Sequence, residues 1–161
     1  MNASYMKDWT VTLAKKDVYF DIDSLSLAYS EVSGGENPVR DNHVATETDD
    51  SGNKRVLRRL CDNRAADIRT QLARFIKPTG GTSGNNTQTD ADWTFTLSVP
   101  TECENNSLVA LAELFHEYIV TGALHDYYAH LGVNANREFL QNRANAALAR
   151  IRELIYYRPM P

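Results

Sequence analysis

The last third of the chain carries two apolar stripes at helical spacing with almost nothing between them, and no other feature limits the fold as tightly. After Pro100, an Asn105 or Asn106 cap opens a helix whose apolar positions are Leu108, Leu111, Phe115, Tyr118, Ile119, Tyr127, Tyr128 and Leu131. Gly132 follows at once, where a glycine commonly ends a helix by taking the left-handed conformation. Asn134 can cap a second helix, in which Leu140, Ala144, Ala147, Leu148, Ile151, Leu154 and Ile155 keep a three-four spacing as far as Tyr157. A connection this short makes the two helices antiparallel neighbours, so 106–157 is expected to be a helical hairpin.

Upstream the period changes. Trp9, Val11 and Leu13 alternate with Thr10 and Thr12, as a half-buried strand requires. Val18, Phe20 and Ile22 alternate again after Ala14-Lys15-Lys16-Asp17, which predicts a β-hairpin and a β-rich part over 1–53. Leu25, Leu27 and Tyr29 permit a third strand, although Leu25, Ala28, Tyr29 and Val32 fit one helical face equally well. Ser33 to Pro38 reads as a loop, Val44 as the centre of a short edge strand, and Asp49-Asp50-Ser51 as a source of N-caps. A helix is predicted over 54–77, where Leu57, Leu60, Cys61, Ile68, Leu72, Phe75 and Ile76 form one stripe and Pro78 stops it. Residues 79–91 form a polar, flexible loop, and 92–99 a strand. That strand repeats the wording of the first, DWTFTL against DWTVTL, so the two are candidate neighbours in one sheet. The expected architecture is a single α+β domain over 1–161, with a small, mostly antiparallel sheet and three main helices, the last two an antiparallel hairpin.

Chemistry-bearing motifs are sparse. His116-Glu117 begins like a zinc-binding HExxH, but Val120 stands where the second histidine is needed. His116 and His130 share a helical face yet lie roughly 21 Å apart along it, and His130 is expected to pair with Asp126 one turn earlier. No phosphate-binding loop, dinucleotide fingerprint or nucleophile elbow is present, and Cys61 and Cys103 are expected as separate free thiols. The start lacks the pattern of a secretory signal, and no window approaches the roughly 18 apolar residues of a membrane span. These readings predict no catalytic, metal or cofactor-binding residues and no membrane partner.

Charge is the more informative property. The chain has a formal net charge of −4, yet eight basic and two acidic residues lie between Lys54 and Lys77, against nine basic and nineteen acidic elsewhere. At 100° per residue Arg55, Arg58, Arg59, Arg69 and Lys77 fall within roughly a 100° arc. Such a stripe suits either an acidic subunit face or a nucleic-acid backbone. Tyrosines suit interfaces because a large apolar ring ends in a polar tip. Tyr127, Tyr128, Tyr156 and Tyr157, with Arg158, therefore join the arginine stripe as candidate interface residues.

The β-rich start, basic helix, strand ending at Pro100, NNSLVALAELFHEYIVTGALHDYY segment and closing RELIYYRPMP together resemble small virion proteins of tailed bacteriophages, of the head–tail connector, neck or tail-completion kind. The resemblance implies a non-enzymatic virion subunit, made in the bacterial cytoplasm. Its implied partners are copies of itself and the portal, neck or tail proteins, close to a channel that passes DNA. It brings no active-site residues with it. The alternative reading is a nucleic-acid-binding module that uses the basic helix 54–77.

Overall fold

The computed structural model describes residues 6–32, 52–76, 92–102, 105–132, 134 and 136–156. Strands β1 (Met6–Leu13) and β2 (Trp93–Pro100) pair antiparallel, with Trp9 opposite Leu97, Val11 opposite Phe95 and Leu13 opposite Trp93. The two near-identical segments thus lie across from each other. Their apolar residues share the inner face, and those of β2 are all buried. On the outer face the threonines meet as cross-strand pairs, Thr10 with Thr96 at 3.1 Å and Thr12 with Thr94 at 3.4 Å between hydroxyls.

Helix α1 (Lys15–Val32) replaces the second strand expected around Val18 to Ile22, and of the two readings left open for Leu25 to Val32 it takes the helical one. The reason is in the spacing. Val18 and Ile22 are four apart, which fits both a strand face and a helix face, so only the residue between them separates the two patterns. Phe20 would be buried with them in a strand; it is 59% exposed, while Val18, Ile22 and Ser26 are buried. Asp17 stands in the first turn, where the helix dipole favours an anion. The backbone N–H of Lys15, which no helical carbonyl can receive, donates to Asp92 Oδ1 at 3.0 Å just before β2.

Helix α2 (Gly52–Gln71) buries Leu57, Cys61, Ala65 and Ile68, with Leu72 continuing the stripe just beyond its end. It ends at Gln71 rather than at 77. The chain tightens there, with Phe75 N–H bonded to Leu72 O at 2.8 Å, and is then drawn into the sheet: Ser98 N–H donates to Phe75 O at 2.7 Å, and Ile76 bridges Leu97. Backbone pairing with β2 thus stops the helix before Pro78 can.

Helix α3 (Asn105–Leu131) is the centre of the molecule, and α4 (Arg137–Tyr156) folds back along it. Every residue from Tyr118 to Leu124 is buried, because α1, α2 and α4 all pack on this one helix. Contrary to the expectation that no window approaches a membrane span, the stretch Ser107–Leu131 is long and apolar enough by length and composition to cross one; its apolar residues are those of a helix on which three others pack. The turn follows the expected chemistry, with Gly132 at φ 76° and Asn136 at φ 63°. Asn134 Oδ1 accepts from Arg137 Nη1 at 3.1 Å. Helix α4 contributes Leu140, Ala144, Ala147 and Ile151 to the seam. Burying Leu140 or Ile151 is worth roughly 2 kcal/mol each. The α+β class, the antiparallel sheet and the closing helical hairpin are all present.

Candidate functional site

Besides the pair of Glu117 with Arg143 of α4, helix α3 carries two larger charged constellations among the described residues, one facing α2 and one facing α1. Facing α2, Arg64 reaches across Gly122 and makes a bidentate pair with Asp126, Nε to Oδ2 and Nη2 to Oδ1, both at 2.8 Å. Its third nitrogen, Nη1, donates to the Tyr118 hydroxyl at 3.0 Å, and that hydroxyl donates to Asp67. The path exists only because residue 122 is glycine. A Cβ there would stand 2.7 Å from Arg64 Nε and 2.8 Å from its Cδ.

The electrostatics follow from this geometry. Burial alone would raise the Asp126 carboxyl, but the two Arg64 hydrogen bonds, the guanidinium charge and His125 Nδ1 at 3.1 Å hold it below the ordinary carboxylate range. Burial and the bond to Asp67 raise the Tyr118 phenol against the opposing pull of Arg64. Burial opposes the Arg64 charge, yet its bonds to Asp126 and Tyr118 outweigh that and raise its pKa. A carboxylate held by both oxygens and a permanently charged guanidinium are poor proton-transfer groups, so this constellation acts as a clamp between α2 and α3. The expected Asp126–His130 pair is not formed: Asp126 turns to Arg64 and His125, and His130 is exposed.

Facing α1, α3 presents a different surface. Asp21 meets His116 Nε2 at 2.5 Å, and around them Leu13, Asp17, Phe20, Ala112 and Glu113 line an open groove of about 490 Å³. Its wall includes Phe20, and Val109, three and four residues before Ala112 and Glu113 on the same helical face, is likewise 59% exposed. Asp17 and Glu113 form no ion pair among the described residues. An apolar floor rimmed by carboxylates that form no ion pair among the described residues is complementary to a basic surface with apolar stems.

The predicted interface residues separate into three groups. Arg55 and Arg59 are exposed on α2 and unpaired among the described residues. Arg58 is half-buried over the Tyr19 ring at 5.9 Å, and Arg69 turns inward to donate to Thr94 O at 2.7 Å and to stack 4.6 Å over Phe95, where burial lowers its pKa. Tyr127 and Tyr128 are not surface residues: they are 3% and 0% exposed, because α3 is surrounded where they stand, and burial raises the Tyr127 phenol. Tyr156 closes α4, while Lys77, Tyr157 and Arg158 lie outside the described residues, as do residues 33–51 and 77–91.

Cys61 is a fully buried free thiol, raised by burial and by neighbouring Asp62, which leaves it inert. Cys103 lies outside the described residues. Among the described residues no three His, Cys, Asp or Glu side chains are grouped to hold a metal ion. Sequence reasoning missed Phe20 and the groove. The available signal was Phe20 itself, a large apolar residue that falls on the polar face once 15–32 is wound as a helix.

Compared with protein-family models, with curated proteins and with solved structures, the chain matches none of them.

Proposed function

We propose that this chain is a non-enzymatic assembly subunit of a tailed-bacteriophage particle, working as a multimer through protein–protein interfaces at the head–tail junction or in the tail. The observation that carries the reading is the groove between α1 and α3, where an exposed Phe20 stands beside Asp17 and Glu113, which form no ion pair among the described residues. Covering a large exposed aromatic is favourable, and a partner that brings cations to the flanking carboxylates keeps those charges paired as water is removed. The resemblance of the 118–128 segment and the chain ending to small virion proteins supplies the setting. In that setting the chain is made in the bacterial cytoplasm and meets copies of itself and portal, neck or tail subunits.

The nucleic-acid alternative draws on the same basic helix and is favoured by exposed Arg55 and Arg59. It is weakened because Arg69 is engaged inside the fold and Arg58 is half-buried on Tyr19. A DNA-binding titration at low salt separates the two readings: the alternative requires binding whose salt slope falls in Arg55→Ala/Arg59→Ala. For the assembly reading, gold-labelled antibody against the chain is expected to decorate intact particles at the neck or tail. Particles that assemble without carrying the chain would exclude it.

A further inference from the structure

We infer that the α1–α3 groove of one copy receives the Arg55/Arg59 face of α2 from the next copy, so that the subunits join head to tail. This rests on the multimeric reading above and names the contact that makes the multimer.

The two surfaces lie on opposite flanks of α1. At 100° per residue Tyr19 and Asp21 point about 160° apart around that helix. Tyr19 lies against Arg58 of α2, whereas Asp21 lies against His116 of α3. The groove opens on the Asp21 side, and the arginine face follows α2 beyond the Tyr19 side. One copy therefore cannot bring its own Arg55 and Arg59 to its own groove.

Charge selects among the ways two copies can meet. A two-fold contact of groove with groove would oppose Asp17, Asp21 and Glu113 to their own equivalents. A two-fold contact of arginine face with arginine face would oppose Arg55 and Arg59 likewise. Like charges brought together across an interface are strongly unfavourable, so both symmetric arrangements are disfavoured. The unlike pairing remains. Because the groove and the arginine face lie on opposite flanks of α1, one two-fold contact does not bring both together; the pairing is heterologous, each copy using one surface to give and another to receive. Such contacts close into a ring when the rotation permits and otherwise extend as a filament.

The chemistry within the contact is specific. Arg55 and Arg59 are one helical turn apart, so their side chains project side by side. Their aliphatic stems and flat guanidinium groups suit the exposed Phe20 ring, and their N–H forks suit the carboxylates of Asp17 and Glu113. Asp21 stays with His116 and shapes the groove without being the receiving charge.

The test is a charge exchange read by light scattering after size exclusion. Wild-type chain is expected to form a multimer whose mass falls as salt is raised. Asp17→Lys/Glu113→Lys and Arg55→Glu/Arg59→Glu are each expected to weaken association at least about a hundredfold, since each places like charges in the contact. Mixed in equal amounts they are expected to assemble again, because the altered groove now fits the altered helix. Circular dichroism and thermal melting identical to wild type show that each variant is folded, and the conservative Arg55→Lys/Arg59→Lys, which keeps the charge, is expected to assemble. Multimers of wild-type mass from either single-sided variant would overturn this contact and leave the multimeric reading standing. Failure of the mixture to assemble would also overturn it. A wild-type chain that stays monomeric at all concentrations would remove both.

Discussion

The carboxylate pairs that α3 makes with α2 and with α1 look alike in outline and differ in everything that matters. Asp126 is held by both oxygens to one guanidinium, meets His125 Nδ1, and is reached by Arg64 across Gly122, where a side chain would collide with that guanidinium. Asp21 meets His116 by one oxygen, half of its side chain faces solvent, and the space around it stays open beside an exposed phenylalanine. The first pair is complete within the chain. The second leaves apolar surface and charge for something else to cover. The difference lies in the surroundings of each pair and not in the pair itself: one is enclosed by packed helices, the other borders an open groove.

That contrast breaks most readily at the clamp. Arg64→Ala leaves Asp126 without its cation and the Tyr118 hydroxyl without its donor, and is expected to cost about 3–4 kcal/mol in urea unfolding, with no change in multimer mass once the variant is folded. A loss under about 1 kcal/mol would mean that α2 and α3 hold together by apolar packing alone. Gly122→Ala should follow at about 2 kcal/mol. Alanine favours a helix interior by roughly 1 kcal/mol, but here its methyl displaces the guanidinium from Asp126. A stabilised Gly122→Ala would show that Arg64 moves aside freely.

The acid response is smaller and has a definite sign. Because the folded Asp126 carboxyl titrates below its unfolded range, its contribution is fully present above the unfolded pKa and fades as pH falls through the folded one. Replacing it by asparagine should therefore flatten the fall of melting temperature below about pH 4, near the ordinary aspartate pKa. An unchanged acid profile would count against the clamp. The smallest effect on stability is expected at the groove: Phe20→Ser should alter unfolding by no more than about 0.5 kcal/mol, since the ring is already in water, while weakening association.

Much of the scaffold was legible in the sequence because each signal was local. The glycine after Leu131, the three-four spacing of 140–151 and the repeated DWTxTL strands are short-range patterns that predict their own structure. Helix α1 was less legible, since Val18 and Ile22 satisfy both periods and only the position of Phe20 decides between them. Tyr127 and Tyr128 were misplaced for a related reason: a helix surrounded on several sides has no polar face, so a tyrosine on it cannot be recognised as surface from spacing. The charged constellations were the hardest to read. Arg64 and Asp126 are 62 positions apart, Asp21 and His116 are 95 apart, and only the packing of three helices brings either pair together.

Hydrogen exchange on the assembled and dissociated chain tests the division between clamp and groove most directly. The account predicts slow exchange over 118–128 in both states, with assembly adding protection over 15–28, 107–116 and 55–63. Protection added only along α4, or a 118–128 segment that exchanges rapidly until assembly, would contradict it.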